Sequence, residues 1–167
     1  MQRGRVVLMD TNIIIEAFRT RSWNAITSYF AVEAPEKCYE EALTGNLHRR
    51  GYVEVDATLL RKGLSVRHAV SDTARAALAL KLRKADALDA GERDLLAHAL
   101  ERTDAWLASC ADRAAMDAAL ELGWEERFIS LEAMARAAGA KPSLKSHFTD
   151  GWLSEVRTAY KLDRSLD

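Results

Sequence analysis

The sequence predicts an α/β fold, a three-layer α/β/α sandwich around a central, mostly parallel sheet. Short apolar segments that fit buried strands alternate with longer segments that fit amphipathic helices, and this alternation is typical of a parallel sheet covered on both faces. The clearest strand is residues 5–9, an apolar segment that ends at the polar triplet Asp10-Thr11-Asn12. Asp10 is therefore expected where this strand ends and a helix begins.

The first half of the chain predicts helices and strands in turn. Ser22 is a favoured N-cap residue and is expected to open the second helix, and Pro35 breaks the pattern that follows. The alternating, β-branched segment 52–55 predicts a strand. The other elements expected in this half are helices at 11–20, 57–62 and 71–82 and a short strand at 36–39, with 40–45 either a helix that ends near Gly45 or part of a longer helix.

The second half carries clearer end signals. Asp89 and Glu92 have the spacing of a capping box in front of a helix at 93–102. Asp112 opens another helix, for which Gly123 is a natural terminator. The remaining expected elements are strands at 105–109 and 127–130, a helix at 131–138 ended by Gly139, and an amphipathic helix from about 150. We expect a single domain over 1–167, with 142–167 as a helical extension packed on it.

Composition excludes several classes of function. The chain has 167 residues with 24 basic and 25 acidic side chains, so a nucleic-acid site would have to be a local patch. No apolar segment approaches the ~20 residues of a membrane-spanning helix, so we expect no membrane partner and a cytoplasmic location. Cys38 and Cys110 fit neither a disulfide framework nor a zinc pattern and are expected to be reduced core residues.

Acidic residues stand at several of the predicted strand ends. Asp10 follows the first strand, Glu40 and Glu41 the second and Asp112 the penultimate one, while Glu92 opens a helix that leads back into the sheet. If these junctions share one sheet edge, the carboxylates converge and raise one another's pKa unless a cation neutralises them. A hard divalent ion, Mg²⁺ or Mn²⁺, would do so and could activate a water for attack on a phosphodiester.

The ordered set of acidic motifs resembles the PIN-domain family of metal-dependent nucleases, which includes many toxins of bacterial toxin–antitoxin pairs. The resemblance covers roughly residues 5–139. Cys110 is a departure, because family members often have a hydroxyl at that place. The similar segments are Asp-Thr-Asn at 10–12, Glu-Ala-Leu-Thr-Gly at 41–45, Asp-Ala-Gly-Glu at 89–92, and Asp-Arg-Ala-Ala at 112–115 followed by Leu-Gly at 122–123.

The resemblance implies a ribonuclease that hydrolyses RNA with a water activated by Mg²⁺ or Mn²⁺. It implies that one or two ions are held by Asp10, Glu41, Glu92 and Asp112, with Thr11 and Asn12 in support as hydrogen-bonding groups. The implied partners are an RNA substrate and, for a toxin, an antitoxin protein; a homodimer is a further option. The spacing to Gly45 favours Glu41 over Glu40, and Asp89 is favoured as the helix cap with Glu92 as the ligand.

Simpler interpretations of the same residues stay open. Asp10 and Asp112 also fit helix N-caps with no catalytic role. Arg113 is a candidate for contact with nucleic acid, but Asp117 lies four residues later, which fits a surface ion pair.

Other basic residues are equally open to two interpretations. Arg49 and Arg50, with His48, fit either a solvated loop or a phosphate-contact patch. His68, His98 and His147 show no ligand spacing and are expected to be surface or satisfied histidines.

Two other functions compete with the nuclease. A non-catalytic binding module on the same fold would tether RNA or a protein, and the cysteine at position 110 is compatible with it. A phosphotransfer or phosphatase domain would use Asp10 as its nucleophile. That chemistry usually needs a second Asp two residues later, where this chain has Asn12.

Overall fold

The computed structural model describes residues 1–44 and 52–165, and the four strands found there form one sheet. All strand pairs are parallel, and the order across the sheet is β3-β2-β1-β4. Helices cover both faces, so the predicted α/β/α sandwich is confirmed. The strands are β1 (Val6–Met9), β2 (Ala31–Pro35), β3 (Leu64–His68) and β4 (Trp106–Ser109).

The helices of the described ranges connect these strands in chain order. None of them is long and apolar enough to cross a membrane. Their bounds are α1 (Thr11–Arg19), α2 (Trp23–Tyr29), α3 (Glu36–Leu43), α4 (Ala57–Gly63), α5 (Asp72–Lys81), α6 (Ala90–Glu101), α7 (Arg113–Glu121), α8 (Leu131–Ala137) and α9 (Asp150–Arg164).

The sheet separates two hydrophobic cores, because successive side chains of a strand point to opposite faces. Val7 and Met9 of β1 pack with α1, α2, α4 and α8 on one face. Leu8, between them, packs with α5, α6, α7 and α9 on the other. A sheet buried on both faces explains why its central strands are almost continuously apolar in sequence.

The strand order creates a switch point between β1 and β4. From β1 the chain proceeds outward to β2 and β3, and it then returns to place β4 on the other side of β1. The helix that follows β1 packs on one face of the sheet, and the helix that follows β4 packs on the opposite face. In open α/β sheets, ligands bind in the crevice that such a reversal opens at the carboxyl ends of the strands.

Three predicted strands are wrong. Residues 36–39 are the first half of α3, and the strand is the preceding segment Ala31–Pro35. Pro35 is tolerated because it stands at the strand end, in the N-cap position of α3, where the missing N–H costs little. Residues 52–55 have no regular structure, and 127–130 contribute only an isolated bridge between Ala108 and Phe128.

The strand that the sequence pattern missed is β3. It lies at the edge of the sheet, and three of its five residues are exposed, so it lacks the apolar signal of a buried strand. Its pairing with β2 is irregular between Val32 and Glu33. The helix ends predicted at Gly123 and Gly139 are confirmed. Gly123 and Gly139 have φ of +76° and +77° directly after helix ends, a conformation that glycine adopts without strain.

Candidate metal centre

Asp10 and Asp112 follow the neighbouring strands β1 and β4 at the same edge of the sheet. The two strands pair with Met9 opposite Ser109, and the Asp10 N–H donates to the Ser109 carbonyl at 3.1 Å. Each aspartate is also the N-cap of the next helix. Asp10 Oδ2 accepts from the Asn12 N–H at 3.2 Å, and Asp112 Oδ1 accepts from the Ala114 N–H at 2.7 Å. The local cap geometry therefore fixes where both carboxylates point.

Glu92 reaches the same edge from the first turn of α6. Asp89 Oδ1 accepts from the Glu92 N–H at 2.8 Å, and Glu92 Oε2 accepts from the Asp89 N–H at 3.2 Å. This reciprocal pair is the predicted capping box. Asp89 is exposed, whereas Glu92 is only 5% exposed. The box holds Glu92 in place while Asp89 acts mainly as the cap.

Glu41 comes from the last turn of α3, not from a strand-to-helix junction as the sequence suggested. Its Oε2 accepts from Thr11 Oγ1 at 2.9 Å. The same oxygen is 2.6 Å from the position that a Cβ would take at Gly91, so this glycine leaves the space that Glu41 occupies. Glu40 is exposed and faces Lys37, 3.8 Å away. The geometry thus places Glu41, not Glu40, beside Asp10.

Asp10 and Glu92 differ from every other buried acid in the described part of the chain. The three other buried carboxylates have a cationic partner: Glu16 with Arg19, Glu33 with Arg102 and Asp94 with Arg75, at 2.5–2.6 Å. Within residues 1–44 and 52–165, no basic side chain lies within 4.0 Å of Asp10, Glu41, Glu92 or Asp112. Burying a charge without a partner is costly, so this cluster is stable only when protonated or when it binds a cation.

The pKa values of Asp10 and Glu92 reflect the cost of burying their charges. The pKa of Asp10 is raised to about 7, chiefly by burial and also by the charges of Asp89 and Glu41, while backbone N–H groups oppose the change. Burial, followed by the charges of Asp112, Asp89 and Asp10, raises the pKa of Glu92 to about 8. These mutual effects show that acids separated by about a hundred positions in sequence lie close together. Such shifts are common at functional sites.

Both cysteines border the cluster as buried thiols. Cys38 Sγ donates to the Gly91 carbonyl at 3.4 Å and lies 4.0 Å from Asp10 Oδ1. Cys110 Sγ accepts from the Asp112 N–H at 3.5 Å. Burial, with the charge of Asp10 next in size, raises the pKa of each thiol, so both are neutral. Because the Cys110 thiol accepts the hydrogen bond from the Asp112 N–H, it helps to position the loop that carries Asp112.

The donor set fits Mg²⁺ or Mn²⁺. Oxygen ligands suit both ions, and Mg²⁺ usually keeps several waters and takes only one or two carboxylates directly. No three of the four carboxylates bring oxygens within 4.8 Å of one another in the described ranges. This spacing suits ligation partly through water. Direct contact of one ion with three of these side chains would need rotamer changes.

Thr11, Asn12 and Arg113, which were predicted to support the site or to contact nucleic acid, each make different contacts. Thr11 binds Glu41 through its hydroxyl, whereas Asn12 contributes its backbone N–H and exposes its side chain. Arg113 forms the ion pair expected with Asp117, at 2.9 Å. Arg49 and Arg50, together with Gly45 and His48, lie outside the described residues.

A second cluster was not found by sequence reasoning. Glu33 Oε2 lies 2.7 Å from His68 Nε2, and the rings of His68 and His98 stack with centroids 3.9 Å apart. Burial, with the charges of His68 and Arg102 next in size, lowers the pKa of His98 to about 4. The three residues stand on β2, β3 and α6. Their spacing in sequence follows no local pattern, and only the paired strands bring them together.

Compared with known proteins, the sequence matches no family model, and it finds no match among the curated proteins.

Proposed function

We propose that this chain is a Mg²⁺- or Mn²⁺-dependent ribonuclease of the PIN type. One observation carries the proposal: Asp10 and Glu92 are buried at the switch point of the sheet with no cationic partner in the described ranges, and they lie beside Asp112 and Glu41. An anionic pocket of this kind needs a cation. The resemblance of the motifs to the PIN family supplies the reaction class.

Asp10, Glu92 and Asp112 would hold the ion, and Glu41 would do so directly or through water. When bound, the ion lowers the pKa of a water and stabilises negative charge on the phosphodiester. The chain's own groups orient the carboxylates: Thr11 holds Glu41, Asp89 holds Glu92, and backbone N–H groups hold Asp10 and Asp112. No covalent nucleophile from the protein is needed.

A cleft lined by residues that neighbour Asp89 and Asp112 in sequence is the proposed path for the RNA. It has a volume of about 660 Å³, and its lining includes Leu88, directly before Asp89, and Ala114, two residues after Asp112. Arg83 and Lys84 line this cleft, together with the acidic residues Asp117 and Glu121. Contacts of RNA phosphates with Arg83 and Lys84 would supply the affinity that the net charge of −1 does not.

The direct test replaces Asp10 by Asn. Asparagine is as good an N-cap as aspartate, so Asp10→Asn should fold while it loses the charge that attracts the ion. Wild-type protein with Mn²⁺ should cleave single-stranded RNA, and Asp10→Asn should be slower by a factor of about 100 or more. Asp86→Asn, at an exposed aspartate, is the matched control and should retain full activity.

Two results would reject the nuclease proposal. One is a folded wild-type protein that cleaves no RNA with Mg²⁺ or Mn²⁺. The other is cleavage that persists in Asp10→Asn, which would show that a contaminating nuclease is responsible.

The second candidate is a non-catalytic module that binds RNA on the same surface. Cys110 favours it, because a buried neutral thiol stands where the PIN family often has a hydroxyl. This function predicts RNA binding that is independent of Mn²⁺, with no turnover. Gel-shift and cleavage assays on the same RNA separate the two functions.

The toxin role extends the nuclease proposal and also rests on the PIN resemblance. It places the chain in the cytoplasm with an antitoxin protein as partner, and a homodimer is compatible with it. Expression of wild type in bacteria should arrest growth, whereas expression of Asp10→Asn should not. Equal growth of the two strains at equal protein levels would reject the toxin role without rejecting the nuclease.

A further inference from the structure

A glutamate and two histidines converge where β2, the edge strand β3 and α6 meet. Each of Glu33, His68 and His98 offers one ligand atom, and the three atoms all lie within 4.8 Å of one another. Glu33 is buried, while the side chain of His68 is 22% exposed. The cluster is therefore accessible to solvent at His68, while Glu33 lies in the protein interior.

We propose that Glu33, His68 and His98 form a transition-metal site, with Zn²⁺ as the ion that fits best. Two imidazoles and one carboxylate are an established zinc ligand set that leaves a coordination position open. Imidazole nitrogen favours Zn²⁺ and other late transition metals over Mg²⁺, which prefers oxygen. The chain would thus hold two ion sites of different chemistry.

Arg102 competes with the metal at this site. Its Nη1 donates to Glu33 Oε2 at 2.5 Å and lies 3.3 Å from His98 Nε2. Its Nε and Nη2 donate to the two carboxylate oxygens of Asp104 at 2.8 and 2.6 Å. A metal ion has to displace Arg102 from Glu33 and His98. Arg102 can then keep its paired hydrogen bonds with Asp104.

The zinc site is separate from the acidic cluster. His98 follows Glu92 by six residues on α6, a rise of about 9 Å along the helix. Glu33 pairs with Leu8 in the sheet, and Leu8 lies two residues before Asp10 in the chain. The two sites can therefore be disabled independently, which allows a test that does not depend on nuclease activity.

The test titrates metal-stripped protein with Zn²⁺ by calorimetry and with Co²⁺ by visible absorption. Wild type and Asp10→Asn should bind Zn²⁺ at this site with similar affinity and give the same Co²⁺ ligand-field bands. His68→Gln and His98→Gln should lose the bands and weaken Zn²⁺ binding by more than about tenfold. Arg102→Gln should bind about tenfold more tightly, since its charged hydrogen bonds no longer compete.

Three outcomes would overturn the proposal. Loss of Zn²⁺ binding in Asp10→Asn with retention in His68→Gln would assign the ion to the acidic cluster. Absence of binding in both wild type and Arg102→Gln would show that the three residues form only an ion-pair network. Binding by Arg102→Gln alone would show that the native chain does not take the metal. Circular dichroism of each variant confirms that it is folded.

Discussion

Asp10 caps a helix with the same carboxylate that we propose binds the ion. It caps α1 through the Asn12 N–H, and its burial without a cationic partner in the described ranges makes it the strongest candidate ligand. Asp112 caps α7 in the same way and is a proposed ligand of the same ion. A cap fixes the direction of the side chain at little cost, so the positions that start these helices are also suited to hold an ion.

Substitution of Gly91 tests whether the position of Glu41 matters for binding of the ion. An alanine Cβ here would lie 2.6 Å from Glu41 Oε2 and 3.2 Å from Thr11 Oγ1, so the flexible glutamate must move. Gly91→Ala should change the free energy of unfolding by no more than about 1 kcal/mol, because alanine favours the helix. Its Mn²⁺ affinity should fall by about tenfold, as measured by calorimetry.

Gly151→Ala is the matched control for this prediction. Both glycines are second residues of their helices, and a Cβ at 151 meets only Thr149 Oγ1, at 3.8 Å. The control should leave Mn²⁺ affinity unchanged. Equal affinity of Gly91→Ala and wild type would show that the position of Glu41 is unimportant for the ion.

Residue-level prediction from sequence succeeds where position along the chain determines position in space. Asp10 and Asp112 could be located because Asp10 directly follows β1 and Asp112 follows β4 after two residues, in one parallel sheet. The approach of Glu33 to His68 and His98 could not be predicted, since it depends on the pairing of β2 with an edge strand that carries little apolar signal.

At the scale of the element, α6 depends on its capping box. Asp89→Ala should lower the free energy of unfolding by about 1 kcal/mol, whereas Asp89→Ser keeps a good cap and should cost much less. Urea unfolding measures both values. Glu92→Gln keeps the other half of the box but should weaken Mn²⁺ binding strongly. If Asp89→Ser abolishes Mn²⁺ binding and Glu92→Gln does not, the two roles are reversed.

The cleft between the segment around Arg83 and helix α7 gives a second prediction for an element. Replacing Arg83 and Lys84 together by Gln should raise KM for RNA by about tenfold with little change in kcat, because phosphate contacts bind substrate without touching the reacting bond. Lys141→Gln, an exposed lysine after α8, is the control. A fall in kcat at constant KM would exclude the cleft as a substrate path.

Elements are predictable when their local signals agree with their tertiary surroundings. The helix predicted at 71–82 is confirmed as α5, and Gly123 ends α7 as its glycine predicts. The strand at β2 was displaced by five residues, because Glu33 and Pro35 interrupt its apolar pattern. Glu33 is tolerated there only because His68 and Arg102 bind its carboxylate.

The whole molecule should lose stability as pH rises when no metal is present. Asp10 and Glu92 have ordinary pKa values of 3.8 and 4.5, and in the fold these rise to about 7 and about 8. Between these values the folded state keeps protons that the unfolded chain releases, so the free energy of unfolding falls with pH. Their contribution is fully present below about pH 4 and lost above about pH 8.

The window from pH 6.5 to 8 is the best one for this measurement. His98, whose pKa is lowered to about 4, acts in the opposite direction, but only below its ordinary value of 6.5. Urea unfolding with EDTA should show a steeper decline with pH for wild type than for Asp10→Asn. Mn²⁺ should remove the decline and stabilise wild type more at pH 8 than at pH 6.5. Identical slopes for the two proteins would contradict the burial of an unpaired charge at position 10.

The acidic cluster at the switch point, we propose, binds a divalent cation. Anomalous diffraction from crystals soaked in Mn²⁺ tests it most directly. We predict a Mn²⁺ peak among the carboxylates of Asp10, Glu92 and Asp112 that is absent from Asp10→Asn crystals. A wild-type map with no peak there, in a crystal where the cluster is open to solvent, would contradict the claim.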